Sequence, residues 1–345
     1  MSLGILLTSL SAFAIALTIT TDKLMVGDFY EDNPKNAWFI SSFFGTILGL
    51  VATGAAWLMV GEDGTVTKLH ELLSTQDSLL ALGMFFVGIT VSLNLRVYFD
   101  MLSCHAYTTR VAIAIAATPI FVFTVQTILN GGTWESSAIF SVLLTTLALI
   151  GFEILTVSDE KKPDCQFNWQ LIVFLVTSTI YLVALDWLFD LVEFKTDLNG
   201  IQSSLIMMPF YWIGFALGIT AIRHTSVRGF IGKVFSKWQF LLIAITLEII
   251  GASSYFFEFM GIAEISATLV SLIVGAHIVF VWGFDIYLRN RYKNATLHGH
   301  EKTSVFFFKI PTENLDVYDI SLKSLSIQGV LIVLVIVGIV LWPSL

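Results

Sequence analysis

The stretch RVYFDMLSCHAYTTR, residues 96–110, sets Arg96, Asp100, His105 and Arg110 between two long apolar runs. A helix rises about 1.5 Å per residue and a bilayer core is about 30 Å thick, so some 20 apolar residues suffice to cross it. Each flanking run meets that length, and the polar piece reads as a tight hairpin at Leu102-Ser103 joining two membrane spans. Working outward, similar runs recur at 3–26, 37–60, 79–102, 104–129, 136–157, 169–189, 201–222, 238–260, 265–288 and 325–341. Ten spans are expected. With 56% hydrophobic and only 13% charged residues, the composition is not that of a soluble domain.

Several classes of function are excluded early. The formal charge of -8 and the lack of a dense basic run argue against a nucleic-acid surface. Cys104 and Cys165 give neither a disulfide framework nor a metal-ligand spacing. His298-Gly299-His300 lacks further clustered ligands, so no metal is expected, and no cofactor motif is present. No P-loop is found, which argues against ATP drive. The first span is rich in Thr and Ser and has no basic segment before it, so it is expected to be a true span rather than a signal peptide.

The chain also repeats itself. At an offset of 158, YFDML (98–102) falls on FFEFM (256–260), and IFVF (120–123) on IVFV (278–281). GxxxG pairs at Gly45/Gly49 and Gly214/Gly218 occupy the second helix of each half, where missing side chains let helices approach closely. LALIG ending at Gly151 falls on VLVIVG ending at Gly338 at an offset of 187, leaving about 29 extra residues before the last span. The chain thus divides into a first five-helix repeat (1–157), a linker (158–167) and a second repeat (168–345) with a polar interfacial insert at 289–324. Five spans per half is odd, so the halves must be inverted. The expected fold class is an all-α integral membrane protein of two inverted five-helix repeats, an arrangement that recurs in alternating-access transporters.

Ten spans in two halves, an aromatic-rich third helix, the Pro119-Ile120-Phe121 element and a final helix bearing Gln328, Gly329 and Gly338 resemble the drug/metabolite transporter superfamily in its EamA-like branch. The resemblance implies exporters or exchangers of small metabolites, with the fifth and tenth helices peripheral. The chain differs in its long insert, in Asp100 and in having His277 where the first half has Pro119.

Fourteen Lys and Arg residues fall on loops after odd-numbered spans, against Lys68 and Lys195 on the other side. The positive-inside rule therefore expects both termini outside and leaves the Asn294 sequon cytoplasmic, in a plasma or bacterial inner membrane. FFFKIP (306–311) in the insert is too short to span and is expected at the interface.

Ionisable groups within spans mark pathways, because each costs something like 2.5 to 3.5 kcal/mol to insert. Glu248, mid-span in LLIAITLEIIGAS, is expected to be either a protonatable coupling group or a hydrogen-bonded structural one. Arg96 and Asp100 lie four apart and can pair. Arg110 then returns to a similar depth, leaving one guanidinium for a solute carboxylate or phosphate. Asp186 is expected at a cavity mouth, and Asp22 and Asp190 as interfacial caps. His277 is either a relay or a contact histidine. Phe85, Phe86, Tyr98, Tyr181, Trp187, Tyr211, Trp212 and Tyr255 are candidate wall residues, and Trp38, Trp57, Trp169 and Trp342 candidate belt residues.

The expected function is secondary transport of a small anionic or zwitterionic metabolite, with protons as a candidate partner and lipid and the solute as the others. Homo-oligomerisation stays open. The alternatives are a non-transporting membrane enzyme or assembly subunit, and a lipid-head-group flippase; no nucleophile-base pair favours the enzyme.

Overall fold

The computed structural model describes residues 2–25, 29–31, 33–60, 78–102, 108–132, 135–158, 169–306, 308–312, 315 and 322–343. Helices dominate: α1 (Leu3–Met25), α2 (Pro34–Val60), α3 (Ser78–Leu102), α4 (Thr108–Leu129), α5 (Ser136–Ser158), α6 (Trp169–Thr196), α7 (Gly200–Phe215), α8 (Thr225–Ser236), α9 (Trp238–Ile262), α10 (Ala267–Gly275), α11 (Ile278–Leu297) and α12 (Leu322–Val340). Among the described residues, seven helical stretches are long and apolar enough to cross a membrane, and Ile115–Leu129, Ser136–Gly151 and Leu325–Val340 are shorter apolar helices. The chain is a multi-pass integral membrane protein.

Lipid explains both the helices and their surface. Nothing in hydrocarbon bonds a free amide, so each spanning segment must satisfy its backbone internally. The hydroxyls that enrich α1 and α2 do likewise, Thr8, Thr20 and Thr53 each donating to the carbonyl four residues earlier at 2.8 Å. Large apolar side chains such as Leu58 (90% exposed) and Phe194 (84%) face outward, while polar groups are buried, the reverse of a soluble protein.

Packing mixes the two halves of the sequence. Contacts link α1 with α9 and α10, α3 with α6 and α7, α2 with α7 and α9, and α4 with α6 and α10, while α5 packs along α12. Glycines set the closest approaches. A Cβ on Gly88 would lie 2.1 Å from the Tyr211 carbonyl oxygen, and one on Gly214 would lie 2.0 Å from that of Phe85, so α3 and α7 meet backbone to backbone. On α2, Gly49 accepts the Trp212 indole and Gly45 the Phe215 ring, while Gly218 beyond α7 lies against Ser42. Trp38 and Trp57, expected in interfacial belts, instead donate across helices to the carbonyls of Ser92 and Leu205, each at 2.8 Å.

Several elements depart from the sequence reading. The seventh apolar run leaves the α-helix after Phe215 and continues as a 3-10 segment, Ala216–Arg223. The short amphipathic α8 follows it, burying Val227, Phe230 and Val234. The ninth run is two helices: His277 donates its backbone N–H only three residues back, to Val274, and its Nδ1 meets the same oxygen, both at 2.9 Å. Asn199 and Gln202 form a capping box that starts α7. The insert is not loose polar chain, since α11 runs on to Leu297 and strands β1 (Lys302–Val305) and β2 (Phe308–Pro311) then form an antiparallel hairpin. Phe306 at its tip takes a φ of 50° and seats its ring 5.4 Å from those of Phe284 and Tyr287.

Two faces result. At one, Lys233 of α8 pairs with Glu31, and Phe29 contacts Tyr30, Phe230 and Phe240. At the other, the start of α1 meets the 263–266 turn, where a Cβ on Gly4 would strike Glu264 and Ile265.

Candidate functional site

A chamber of about 130 Å³ lies within the bundle, lined from α1, α2, α3, α4, α6, α7, α9 and α10, and among the described residues none from α5 or α12 lines it. Three carboxyl side chains face it: Asp22, Glu248 and Glu258, at 4%, 6% and 1% exposure. Each has a hydroxyl donor on another helix. Ser41 Oγ donates to Glu248 Oε1 at 2.6 Å, Tyr98 Oη to Asp22 Oδ2 at 3.2 Å and Tyr181 Oη to Glu258 Oε1 at 3.2 Å.

Local sequence explains the placement. Gly45 on α2 and Gly251 one turn past Glu248 lack side chains where the carboxyl sits; a Cβ at either would stand 3.5 or 3.7 Å from Glu248 Oε2. Asn94 fixes the opposite wall, its amide reaching Phe174 O (3.0 Å), Thr177 Oγ1 (2.7 Å) and Ser178 Oγ (2.9 Å) to hold α3 on α6.

Among the described residues no Lys, Arg or His lines the chamber. A buried carboxylate without an opposite charge is costly, so this lining calls for a cation or a proton.

A wider cavity of about 760 Å³ lies at the face where α1 begins. Asp186, Asp190, Glu193 and Glu264 line it, again with no basic residue among those described. Glu264, desolvated by burial and beside Glu193, keeps its proton to a higher pH than an ordinary glutamate. On the wall of this vestibule, Gln126 Nε2 donates to Asp186 Oδ2, and Thr268 donates its hydroxyl and, at 3.0 Å, its backbone N–H to Gln126 Oε1. Ala267 N donates to Asp186 Oδ1 at 3.0 Å, so α4, α6 and α10 are tied at one level.

The structure brings together only part of the residues singled out from sequence. Glu248, Tyr98 and Tyr255 line the chamber, and Asp186 lines the vestibule. His277 is buried in the turn between α10 and α11, bonded to the Val274 carbonyl, and does not line either cavity. Arg96 pairs with Asp100 at 2.8 Å and lies over the Trp38 ring at 5.7 Å; neither member of the pair lines the chamber. The side chain of Arg110 lies outside the described residues. Phe86 and Trp187 are exposed on the outside of the bundle rather than forming a wall. Asp22, expected as an interfacial cap, is instead buried in the chamber. Glu258 was not singled out as a site residue, although the 158-residue repeat sets it on Asp100.

Comparison of the sequence with protein-family models and with characterised proteins finds no match.

Proposed function

We propose that the protein is a secondary transporter working by alternating access, and that its solute presents a positive charge, as an organic amine or a zwitterion does. The observation that carries this reading is the chamber itself: three buried carboxyls, each held by a hydroxyl from another helix, and no basic side chain among the described lining residues. In place of the anionic or zwitterionic solute expected from Arg96 and Arg110 we propose a cationic or zwitterionic one, because carboxyls and no basic side chain stand among the described lining residues. Glu248 serves as solute partner and proton carrier in turn, so that solute and proton exchange at one carboxyl.

The inverted repeat belongs to the same proposal. Exchanging α1 to α5 with α6, α7, α9, α10 plus α11, and α12 turns α1·α9 into α6·α3, α2·α9 into α7·α3 and α1·α10 into α6·α4. All of these contacts occur, which supports ten spans in two related halves, and the acidic vestibule is the proposed entry to the chamber from one side.

Counterflow in proteoliposomes tests it, with tetraethylammonium, choline, neutral amino acids and sugar phosphates as solutes. Uptake of the cationic or zwitterionic solutes is expected, and Glu248→Gln should lower it at least tenfold, the loss of a charged hydrogen bond. Uptake of sugar phosphates alone would overturn the charge assignment, and no uptake of any solute would overturn transport.

A further inference from the structure

The chamber has two carboxyl stations rather than one. Toward the Lys233 face, Asp22 with its Tyr98 donor stands with Glu248. Toward the vestibule, Glu258 stands alone with Tyr181. Leu182, Phe215, Ala252 and Tyr255 line the wall between.

Two further phenols, neither among the residues lining the chamber, have a buried oxygen with no hydrogen-bond partner. Tyr30 Oη is buried with no hydrogen-bond partner, within electrostatic range of Asp22 and Glu248. Tyr211 Oη is likewise buried and unpartnered, within range of Glu258 and Tyr181. A buried hydroxyl without a partner is uncommon and costs free energy. An ammonium group, with several N–H donors, can bond a carboxylate and a phenol oxygen together.

Resting on the transport reading above, we infer that the preferred solute is a linear organic dication whose two ammonium groups are held at opposite ends of the chamber, one by Glu248 and Asp22 and the other by Glu258. Length sets the choice. Glu248 and Glu258 are ten residues apart on one helix, or about 15 Å along its axis. Two charged hydrogen bonds of about 2.8 Å each leave the nitrogens about 9 Å apart, the reach of an extended α,ω-diamine of about five to seven carbons. The apolar span between suits a methylene chain, which gives up little on leaving water.

The test is binding to the purified full-length protein of α,ω-diamines from four to twelve carbons, each paired with the primary monoamine of equal length, by titration calorimetry. Affinity is expected to peak at about five to seven carbons, at least tenfold above the matching monoamine. Glu258→Gln should abolish that advantage, read as the ratio of diamine to monoamine affinity in the same variant. If Glu258→Gln does not fold, Tyr181→Phe removes one hydroxyl and should cut the same ratio severalfold. Equal binding of monoamines and diamines at every length would overturn the two-station inference and leave the transport reading standing. Binding of neither, together with no counterflow of tetraethylammonium, would overturn both.

Discussion

Glu248 shows what a single residue can and cannot reveal. A lone acid in the middle of an apolar run must face something polar, and that was legible from sequence. Its partner was not, since Ser41 lies 207 residues away. Ser41→Ala leaves the carboxyl without its described donor and should cost about 1–3 kcal/mol, seen as a lower melting temperature in detergent and weaker amine binding. Asp22 misled because an acid three residues from the end of an apolar run looks like an interfacial anchor, whereas the packing of α3 over it closes it from water. Arg96 and Asp100 were legible as an i,i+4 pair, but nothing in their spacing says whether the pair turns toward the cavity. Arg96→Ala should therefore spare amine binding, within about threefold, by the same titration. At the vestibule rim, Glu264 loses its charge at a higher pH than an ordinary glutamate, because burial and Glu193 favour the neutral form. Its attraction for a cation is present at high pH and is lost as the pH falls through its raised pKa. Uptake from that side should weaken accordingly, and Glu264→Gln should flatten part of the profile.

Among the elements, helix positions were the readable part, because apolar length alone defines a span. What length cannot report is backbone geometry inside the run. The turn at Val274 to His277, the 3-10 end of the seventh run and the separate α8 all lie in or beside apolar sequence whose average hydropathy hides them. The hairpin in the insert was not legible for another reason: the KTSV and FKIP strands are four residues each, too short for alternation to stand out, and their anchor is the Phe306 ring on α11. The glycine pairs were visible as motifs, but their partners were not. Gly214→Ala would drive a methyl into the Phe85 carbonyl and should destabilise by about 1–3 kcal/mol or more, measured as lost monodisperse protein and a lower melting temperature. Gly229→Ala, with open space around the new methyl, is the control and should change little.

At the scale of the molecule, the Lys and Arg distribution predicts that tags at both termini are reached from outside intact cells and that Asn294 is unglycosylated; a protected N-terminal tag would reverse the orientation. The division of the sequence into halves is not the division of the packed structure. Backbone contact and the Asn94 fan fasten α3, α6 and α7 to one another, while α1 lies along α9, with Ser11 Oγ donating to the Ser254 carbonyl at 2.9 Å. All three chamber acids ride on the α1 and α9 pair, and both phenols that bond them, Tyr98 and Tyr181, ride on the other block. Any motion that parts the blocks must unlatch both phenol bonds together. On the proposed reading, a visiting ammonium that claims either carboxyl competes with the phenol on it, so the seam that confines the guest would be loosened by the guest itself.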